Sequence, residues 1–393
     1  MIYLIVLIIL FIPFVKYDLL AKQGYEGVWY YVCLISLILL AALRYRVGGD
    51  TLIYMDIFEY YPKISELSTF DFKNAEYNPM WYIYNSVFKS LGNSFFLFQL
   101  SQAIIINTIF FRFFYKYTNY FFTALIFYYI GYYCYYNFEI QREILCICIF
   151  LISYPFLEKG KYLRYYLLVI FASSIHYSAL VLLIVPLFLL LKRDRFWLSL
   201  IIITIISYLF LRFDIISLAI SFFFDSGAEK IYNYLRREVP NFHGIIVQFL
   251  IMLPYLTLFY VRYKYKIDDD KKMGAIVTII IGIQCSSLFV PAVPRLSNYF
   301  FPIGIVFIIN SIINNIDRIR MKQVSSVLVF GVLFVFFFNA GFYYMKSKAK
   351  VLPGAHEYGL FIPYVSVFNP HMVYERERRI INERTELDYE IFK

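Results

Sequence analysis

The sequence predicts an all-α protein that crosses a membrane about a dozen times, and three observations support this prediction. The chain has 393 residues, of which 61% are hydrophobic and only 16% are charged. A soluble domain is about 45–50% apolar and about 25% charged, so a soluble core could not hide this much apolar surface. The apolar residues form long runs, as helices that span a bilayer do. The basic residues lie in short clusters between these runs.

Twelve apolar runs are predicted crossings. The first has no basic residue before it and no small-residue cleavage pattern after it, so we interpret it as a helix and not as a cleaved signal. Several runs are shorter than the roughly 20 residues of a perpendicular helix, so we expect their ends to extend into polar neighbours. The predicted crossings are 2–15, 28–43, 95–115, 119–136, 143–157, 163–176, 178–191, 196–212, 245–262, 274–290, 298–314 and 324–345.

Two weaker segments complete the predicted organisation. Residues 78–91 mix aromatic and polar side chains, which favours a helix lying in the membrane interface. Residues 215–224 are too short to span, which favours a re-entrant or irregular segment. The organisation predicted is a single membrane domain at 1–345 with outer loops at 44–79 and 213–243, followed by an extracytoplasmic tail at 346–393.

The loop lysines predict which side of the membrane each loop faces. Most of them lie in alternate loops, for example Lys16, Lys116 and the clusters at 159–164 and 192–195. The positive-inside rule makes those loops cytoplasmic and places both termini outside. The outer helix ends carry arginine and histidine instead, on the side where positive charge is disfavoured. A bound anion would explain them.

Several function classes are disfavoured by the composition. The net charge of +10 is spread over loops at a membrane surface, which argues against nucleic-acid binding. Five cysteines, an odd number within apolar segments, argue against a disulfide framework or a zinc site. No phosphate-binding P-loop or zinc-protease motif is present, so neither ATP nor a metal cofactor is expected.

The segment after the second predicted helix is rich in hydrogen-bond donors. It places Arg44 and Arg46 before two glycines and Asp50, and Tyr54 follows one helical turn later. Glycine lets a backbone approach a ligand closely, and guanidinium groups match phosphate oxygens in pairs. Asp50 could orient an arginine, cap a helix or act as a base. The alternative is a simple helix-end turn with arginines that reach toward water.

Three further polar segments fall at outer helix ends. Gln141 and Arg142 begin an apolar helix, where the helix dipole favours an anion, although Glu139 or Glu143 could pair with the arginine instead. His176 lies between two helices and could act as a base or a phosphate donor, or bond across its own turn. The last segment follows two prolines and contains Arg295 and Tyr299.

Taken in order, these segments resemble a known family. The matching runs are Arg46 to Tyr54, Asn137 to Arg142, the Ser-Ile-His-Tyr-Ser-Ala string around His176, Arg295 to Tyr299, and Ile362-Pro-Tyr. They resemble the EpsG/Wzy-type polysaccharide polymerases, which extend O-antigen, capsule or exopolysaccharide chains, over about residues 45 to 365. One departure is Glu143, which stands where the family pattern has Gln.

The resemblance implies a metal-independent membrane glycosyltransferase with a GT-C-like architecture. Such an enzyme moves a growing glycan from undecaprenyl diphosphate onto the non-reducing-end hydroxyl of another lipid-linked repeat unit. The implied location is the outer face of the bacterial plasma (inner) membrane, facing the periplasm or cell exterior. The implied partners are the lipid-linked oligosaccharide, the bilayer, and chain-length regulator and flippase proteins. No cofactor is implied.

The resemblance also suggests roles for the outer residues. Arg46, Arg142 and Arg295 are expected to bind the diphosphate, and His176 or Asp50 to accept the proton, so that Arg142, His176, Asp50 and Arg46 form the catalytic set. The expected substrate contacts are Arg44, Tyr54, Gln141 and Tyr299. The outer aromatic residues Tyr77, Trp81 and Tyr82 are expected to stack on sugar faces.

Two alternative functions stay open. A lipid-linked oligosaccharide flippase or other transporter would place charges deep within its helices and often contains internal repeats. An O-antigen ligase-type glycosyltransferase would use similar arginines with a different acceptor.

Overall fold

The described part of the chain is helical, as the sequence predicts. This computed structural model describes residues 1–72, 75–189, 242–264, 271–286, 293–312, 331–338, 341–342, 345 and 358–378. Within these ranges no β-strand occurs, and the sole extended pairing is an isolated antiparallel bridge between Arg44 and Ser366. The all-α prediction is therefore confirmed.

Most helices of the described part follow the apolar runs, whereas Gly49–Phe58 lies within the predicted outer loop 44–79. The helices are α1 Ile2–Pro13, α2 Glu26–Ala42, α3 Gly49–Phe58, α4 Pro79–Ser90, α5 Phe95–Tyr117, α6 Phe121–Gly131, α7 Gln141–Glu158, α8 Tyr162–Ser173, α9 Val185–Leu189, α10 Phe242–Lys264, α11 Lys271–Ser286 and α12 Phe301–Ile312. Shorter turns are the π-helices Phe14–Leu19 and Tyr135–Glu139 and the 3-10 helices Ile64–Glu66, Tyr177–Ile184 and Val293–Tyr299.

Two of the described helical stretches are long and apolar enough to cross a membrane. They are Ile2–Leu19 and Phe95–Tyr117. Five shorter apolar helices are also present, at Glu26–Ala42, Phe121–Gly131, Tyr162–Ser173, Tyr177–Leu189 and Phe301–Ile312. The dozen crossings therefore stay a prediction. The crossing at 196–212, half of that at 324–345 and nearly all of the loop 213–243 lie outside the described residues.

Apolar side chains cover the outward faces of several helices. On α1, Leu4 and Ile8 are more than half exposed, and Val28 and Ile35 are so on α2. Leu163 of α8 is 75% exposed. Many exposed large apolar side chains are unusual for a soluble monomer and are typical of surfaces that meet lipid or another protein.

The chain divides into two compact units. The first contains Met1–Ser153, Leu167–Ala179 and Val327–Lys393, and the second contains Tyr154–Tyr166 and Leu180–Ser326. In the first unit α2 packs along α5, and α1 packs against α2 and α6. In the second, α11 packs against α10 and α12, where Gly304 leaves room for the Tyr255 ring.

The C-terminal segment 358–378 packs onto the loop that follows α2. The Tyr45 amide donates to the Val365 carbonyl at 2.8 Å, and the Val367 amide donates to the Leu43 carbonyl at 2.9 Å. The Gly48 amide donates to the Leu360 carbonyl at 2.9 Å. The sequence placed these residues in a tail beyond the membrane domain, but here they satisfy backbone groups of the first unit.

Candidate functional site

The loop from Arg44 to Gly49 makes a sharp turn between α2 and α3. Arg46 has a φ of 51° and Gly48 a φ of 98°. At Gly48 a side chain would meet Oε1 of Glu139 and Cβ of Phe138, both at 3.0 Å. Glycine is therefore needed here both for its backbone conformation and for the close approach of the segment before α7.

Glu139 closes the N-terminus of α3. Its Oε1 accepts the Gly49 amide and its Oε2 accepts the Asp50 amide, each at 2.8 Å. Both amides would otherwise lack partners at the helix start, and the negative charge faces the positive end of the helix dipole. Burial raises the pKa of Glu139, and the charge of Asp50 adds to that rise. The sequence offered Glu139 as a partner for Arg142, but it serves α3 instead.

Arg44 lies inside this junction and not on its surface. It is 2% exposed, and its guanidinium lies 4.7 Å from the centre of the Phe138 ring. It donates to the Ala41 carbonyl and, at 3.4 Å, to Oγ1 of Thr51. Burial lowers the pKa of Arg44 to about 10. Its position supports the junction, so the expected substrate contact would have to be indirect.

Arg46 is held by two carboxylates. Its Nε and Nη2 each donate to Glu377 at 2.6 Å, and its Nη1 donates to Asp56 at 3.0 Å. The bidentate pair with Glu377 is a strong geometry for an arginine, and these hydrogen bonds raise the pKa of Arg46. Direct binding of a diphosphate by Arg46 would therefore require a ligand to replace one of these carboxylates.

Arg376 anchors the C-terminal segment beneath Arg46. It is 1% exposed and donates to three backbone carbonyls, those of Arg46 at 2.6 Å, Pro363 at 2.6 Å and Gly359 at 2.9 Å. Burying an arginine is costly unless its donors are satisfied. Arg376 thus holds the backbone at Arg46 in place.

Arg142 is paired differently from the other arginines at this end of the unit. Its Nε donates to the Tyr54 hydroxyl at 3.1 Å, and its guanidinium lies 4.2 Å from the centre of the Tyr77 ring. Among the described residues no carboxylate lies within salt-bridge distance of it, so the expected competition from Glu143 is not seen as an ion pair. Arg142 is partly exposed at the first turn of α7, where the helix dipole favours anions.

Gln141 and Tyr54 are both neighbours of Arg142, the first along the chain and the second through a hydrogen bond. Gln141 is 1% exposed and its amide donates to Oγ1 of Thr51 at 3.4 Å. Tyr54 is 8% exposed and lies one turn after the exposed Asp50 on α3, so the two share a helix face. The chain therefore brings Asp50, Tyr54 and Arg142 to one region, while Gln141 is turned into the core.

His176 lies in the turn after α8, which packs against the start of α4. Asn78 donates to the Ser173 carbonyl at 2.8 Å, and the Met80 amide donates to the Ser174 carbonyl at 3.1 Å. The Ser178 amide donates to Nδ1 of His176 at 3.2 Å. Because Nδ1 accepts this bond, the proton of a neutral ring is on Nε2. In that tautomer the ring edge at Nε2 is a donor.

Arg295 and Tyr299 belong to the second unit. Arg295 is exposed, whereas Tyr299 is 0% exposed within the 3-10 helix Val293–Tyr299. A fully buried ring is a packing residue, so Tyr299 has no surface to offer a substrate in this structure. The role expected for Arg295 stays a prediction.

Comparison with known proteins now decides the family. The model of the EpsG family matches residues 27–366, which is most of the chain. The protein belongs to the EpsG family. No significant match was found among curated proteins or among solved structures. The matched range contains Arg46, Arg142, His176 and Arg295 and ends at Ser366, in the segment that packs on the α2–α3 loop of this EpsG-family chain.

Three residues of the candidate site have structural partners that the sequence did not predict: Glu139, Arg376 and Glu377. Each has at least one partner 89 or more positions away in the chain, namely Asp50 for Glu139 and Arg46 for Arg376 and Glu377. Charge and helix-end position mark a residue as interesting, but they carry no information about such distant pairing. The resemblance of the Ile362-Pro-Tyr run was the one signal that pointed to the C-terminal segment.

Replacing Gly48 by Ala tests the close approach of Glu139. Gly24 has the same φ of 98° but open space around it, so Gly24→Ala is a matched control for backbone strain. We expect Gly24→Ala to lower the free energy of unfolding by about 1 kcal/mol, and Gly48→Ala by roughly 2 kcal/mol more, because its Cβ overlaps Glu139 and Phe138. Thermal unfolding in detergent measures both, and equal losses would contradict the packing.

Replacing Arg376 by Ala tests the anchoring of the C-terminal segment. The three carbonyls would lose their donor, so we expect a loss of about 2 kcal/mol in the free energy of unfolding. Arg378, two positions later, is exposed and is the matched control. Unfolding scans of both variants give the comparison. A stability of Arg376→Ala equal to that of Arg378→Ala would show that the anchor contributes nothing.

Proposed function

We propose that this EpsG-family protein is a polysaccharide polymerase that acts on undecaprenyl-diphosphate-linked repeat units at the outer face of the bacterial plasma membrane. The observation that carries the proposal is the environment of the Arg142 side chain. It is a partly exposed guanidinium at a helix start, held by a phenol and an aromatic ring and by no carboxylate of the described part. Such a group attracts a phosphate anion.

Arg142 would stabilise the leaving group. The acceptor hydroxyl attacks the anomeric carbon of the donor glycan, a new glycosidic bond forms, and the bond from that carbon to the diphosphate oxygen breaks. Negative charge then builds on the polyprenyl diphosphate. Because Tyr54 and Tyr77 already hold the Arg142 guanidinium in place, it neutralises this charge without reorganising. In this proposal no metal ion is needed to stabilise the leaving group.

Asp50 would receive the proton of the acceptor hydroxyl. It is exposed on the first turn of α3, and its backbone amide is fixed by Glu139. The same helix face carries Tyr54, which contacts Arg142. His176 is assigned a donor role through Nε2, because its Nδ1 already accepts the Ser178 amide. The sequence left open whether His176 or Asp50 accepts the proton. In this proposal Asp50 accepts it, and His176 donates a hydrogen bond to the phosphate.

The remaining arginines have supporting roles in this proposal. Arg46 positions the α2–α3 turn through Glu377 and Asp56, and it reaches the diphosphate only if the ligand displaces a carboxylate. The diphosphate contact expected of Arg295 stays a prediction from the sequence. The proposal also includes a location in the bilayer, about a dozen crossings and termini on the outer side. Its partners are a flippase that supplies repeat units and a regulator of chain length.

A polymer assay tests the role of Arg142. In a strain deleted for the gene, wild type should restore long surface glycans, whereas Arg142→Ala should leave single repeat units and lower the transfer rate by about 100-fold or more. Arg142→Lys should recover part of the rate, since it keeps the charge but loses the planar fork.

Arg112→Ala is the control for that assay. Arg112 is an exposed arginine of α5, and its replacement should leave the glycan ladder unchanged. Immunoblots of membranes confirm that all variants are present. Normal polymer from Arg142→Ala would remove Arg142 from the mechanism. Accumulation of lipid-linked repeats on the cytoplasmic side in the deletion strain would favour a transporter instead.

A further inference from the structure

A groove lies beside the candidate site, between the end of α3, the turn at 60–71 and α4. Its volume is about 540 Å³, within the range of small-molecule sites. Its lining includes three aromatic residues and three carboxylates, namely Tyr60, Tyr61, Phe70, Glu59, Glu66 and Asp71. Aromatic faces and carboxylates together suit a ligand that has both C–H faces and hydroxyl groups.

The aromatic wall of the groove is closely packed, and one ring of the groove is exposed. Tyr61 accepts a hydrogen bond from the Trp81 indole at 2.7 Å, and its ring lies 5.2 Å from that of Tyr82. Phe70 lies 4.8 Å from Tyr82. Tyr60 is 86% exposed. Trp81 and Tyr82 are 0% and 9% exposed, so in this structure they do not offer the open ring faces that stacking on a sugar requires.

Glu59 is set in place by a buried lysine. The Lys89 ammonium donates to the Glu59 carbonyl at 2.8 Å and to its carboxylate at 3.2 Å. The Lys89 side chain is 10% exposed, whereas that of Glu59 is 64% exposed. The carboxylate is therefore oriented before any ligand arrives, which reduces the entropy lost on binding. A carboxylate in this position accepts hydrogen bonds from hydroxyl groups.

The charge of the lining separates this groove from an anion site. The carboxylates of Glu59, Glu66 and Asp71 outnumber the ammonium groups of Lys63 and Lys89. This balance disfavours a diphosphate and favours an uncharged ligand. The anionic and the uncharged parts of a lipid-linked repeat would therefore bind in different places.

A continuous set of ring contacts joins the groove to Arg142. Arg142 lies over the Tyr77 ring, and Tyr77 is 6.2 Å from Tyr82, which contacts Phe70 on the groove wall. A ligand whose diphosphate lies at Arg142 can thus extend its sugars along one aromatic surface into the groove. Arg142 would then face the diphosphate end of this ligand, and the aromatic, acidic groove would face its glycan end.

We propose that this groove is a glycan subsite that binds uncharged sugar units of the lipid-linked repeat. Tyr60 stacks on the apolar face of a sugar ring, and Glu59 accepts hydrogen bonds from its hydroxyl groups. The proposal rests on the proposed polymerase function, because it assigns the glycan part of that substrate. Tyr60 and Glu59 make no contact with the reacting bond and determine binding and specificity.

Direct binding separates the groove from the diphosphate site. The probe is the repeat oligosaccharide released from its lipid by mild acid, so that it carries no diphosphate, and the protein is the full chain in nanodiscs. Saturation-transfer NMR titrations compare wild type with Tyr60→Ala, Tyr60→Phe, Glu59→Gln and Arg142→Ala. Tyr115→Ala is the matched control, since Tyr115 is a 67% exposed tyrosine in the last turn of α5 and does not line the groove.

We expect Tyr60→Ala to weaken binding about 5- to 10-fold, as the loss of one aromatic stacking contact does. Tyr60→Phe keeps the ring and should stay within about twofold of wild type, and Tyr115→Ala should match wild type. Arg142→Ala should bind the released oligosaccharide normally. Equal affinities of wild type, Tyr60→Ala and Glu59→Gln would overturn the subsite, and so would a loss of binding in Arg142→Ala alone.

A kinetic assay keeps the subsite distinct from the polymerase function. With intact lipid-linked repeats in isolated membranes, Tyr60→Ala should raise KM about 5- to 10-fold and change kcat less than threefold. If wild type polymerises and Tyr60→Ala has an unchanged KM, the subsite is wrong while the polymerase function stands. If wild type forms no polymer, the polymerase function fails, and the NMR titration still decides whether the groove binds glycan.

Discussion

The two hydrogen bonds from the amides of Gly49 and Asp50 to the carboxylate of Glu139 hold the candidate site together. They join the first turn of α3 to the segment before α7, two parts of the chain that are 90 residues apart. The direction of α3 follows from them, and with it the positions of Asp50 and Tyr54 relative to Arg142. The bare backbone of Gly48 makes the approach possible, because a side chain there would overlap Glu139.

The arginines around this junction differ in the groups that they contact. Arg46 is matched by carboxylates, Arg376 by carbonyls, and Arg44 by a carbonyl, a hydroxyl and an aromatic ring. Arg46 and Arg376 use their donors within the protein, and Arg44 is buried, although its Nε has no hydrogen-bond partner among the described residues. Arg142 is held in place by a phenol and a ring, which orient a guanidinium without cancelling its charge. A protein that must bind an anion and release it again benefits from this difference, since a carboxylate partner would compete with the ligand.

Much of the site could be located from the sequence because its residues lie at helix ends, where apolar runs meet charged residues. The α5 helix, at Phe95–Tyr117, agrees closely with the predicted crossing at 95–115, since a long apolar run specifies a helix whatever its neighbours are. The segments around Arg46, Arg142 and His176 were marked by their residue types and spacing. Sequence did not reveal that Glu377 would pair with Arg46 or that Lys89 would orient Glu59, because such pairs depend on which loops meet in space.

The sequence by itself determined the helical class, the positions of the polar helix ends and, through the ordered segments, the family. These properties follow from local composition and periodicity, which each stretch of chain carries on its own. Only the tertiary structure decided that Trp81 is enclosed while Tyr60 is exposed, that the C-terminal segment completes the α2–α3 loop, and that Arg142 lacks a carboxylate among the described residues. Burial and pairing are relations between distant segments, and the packing of those segments sets them.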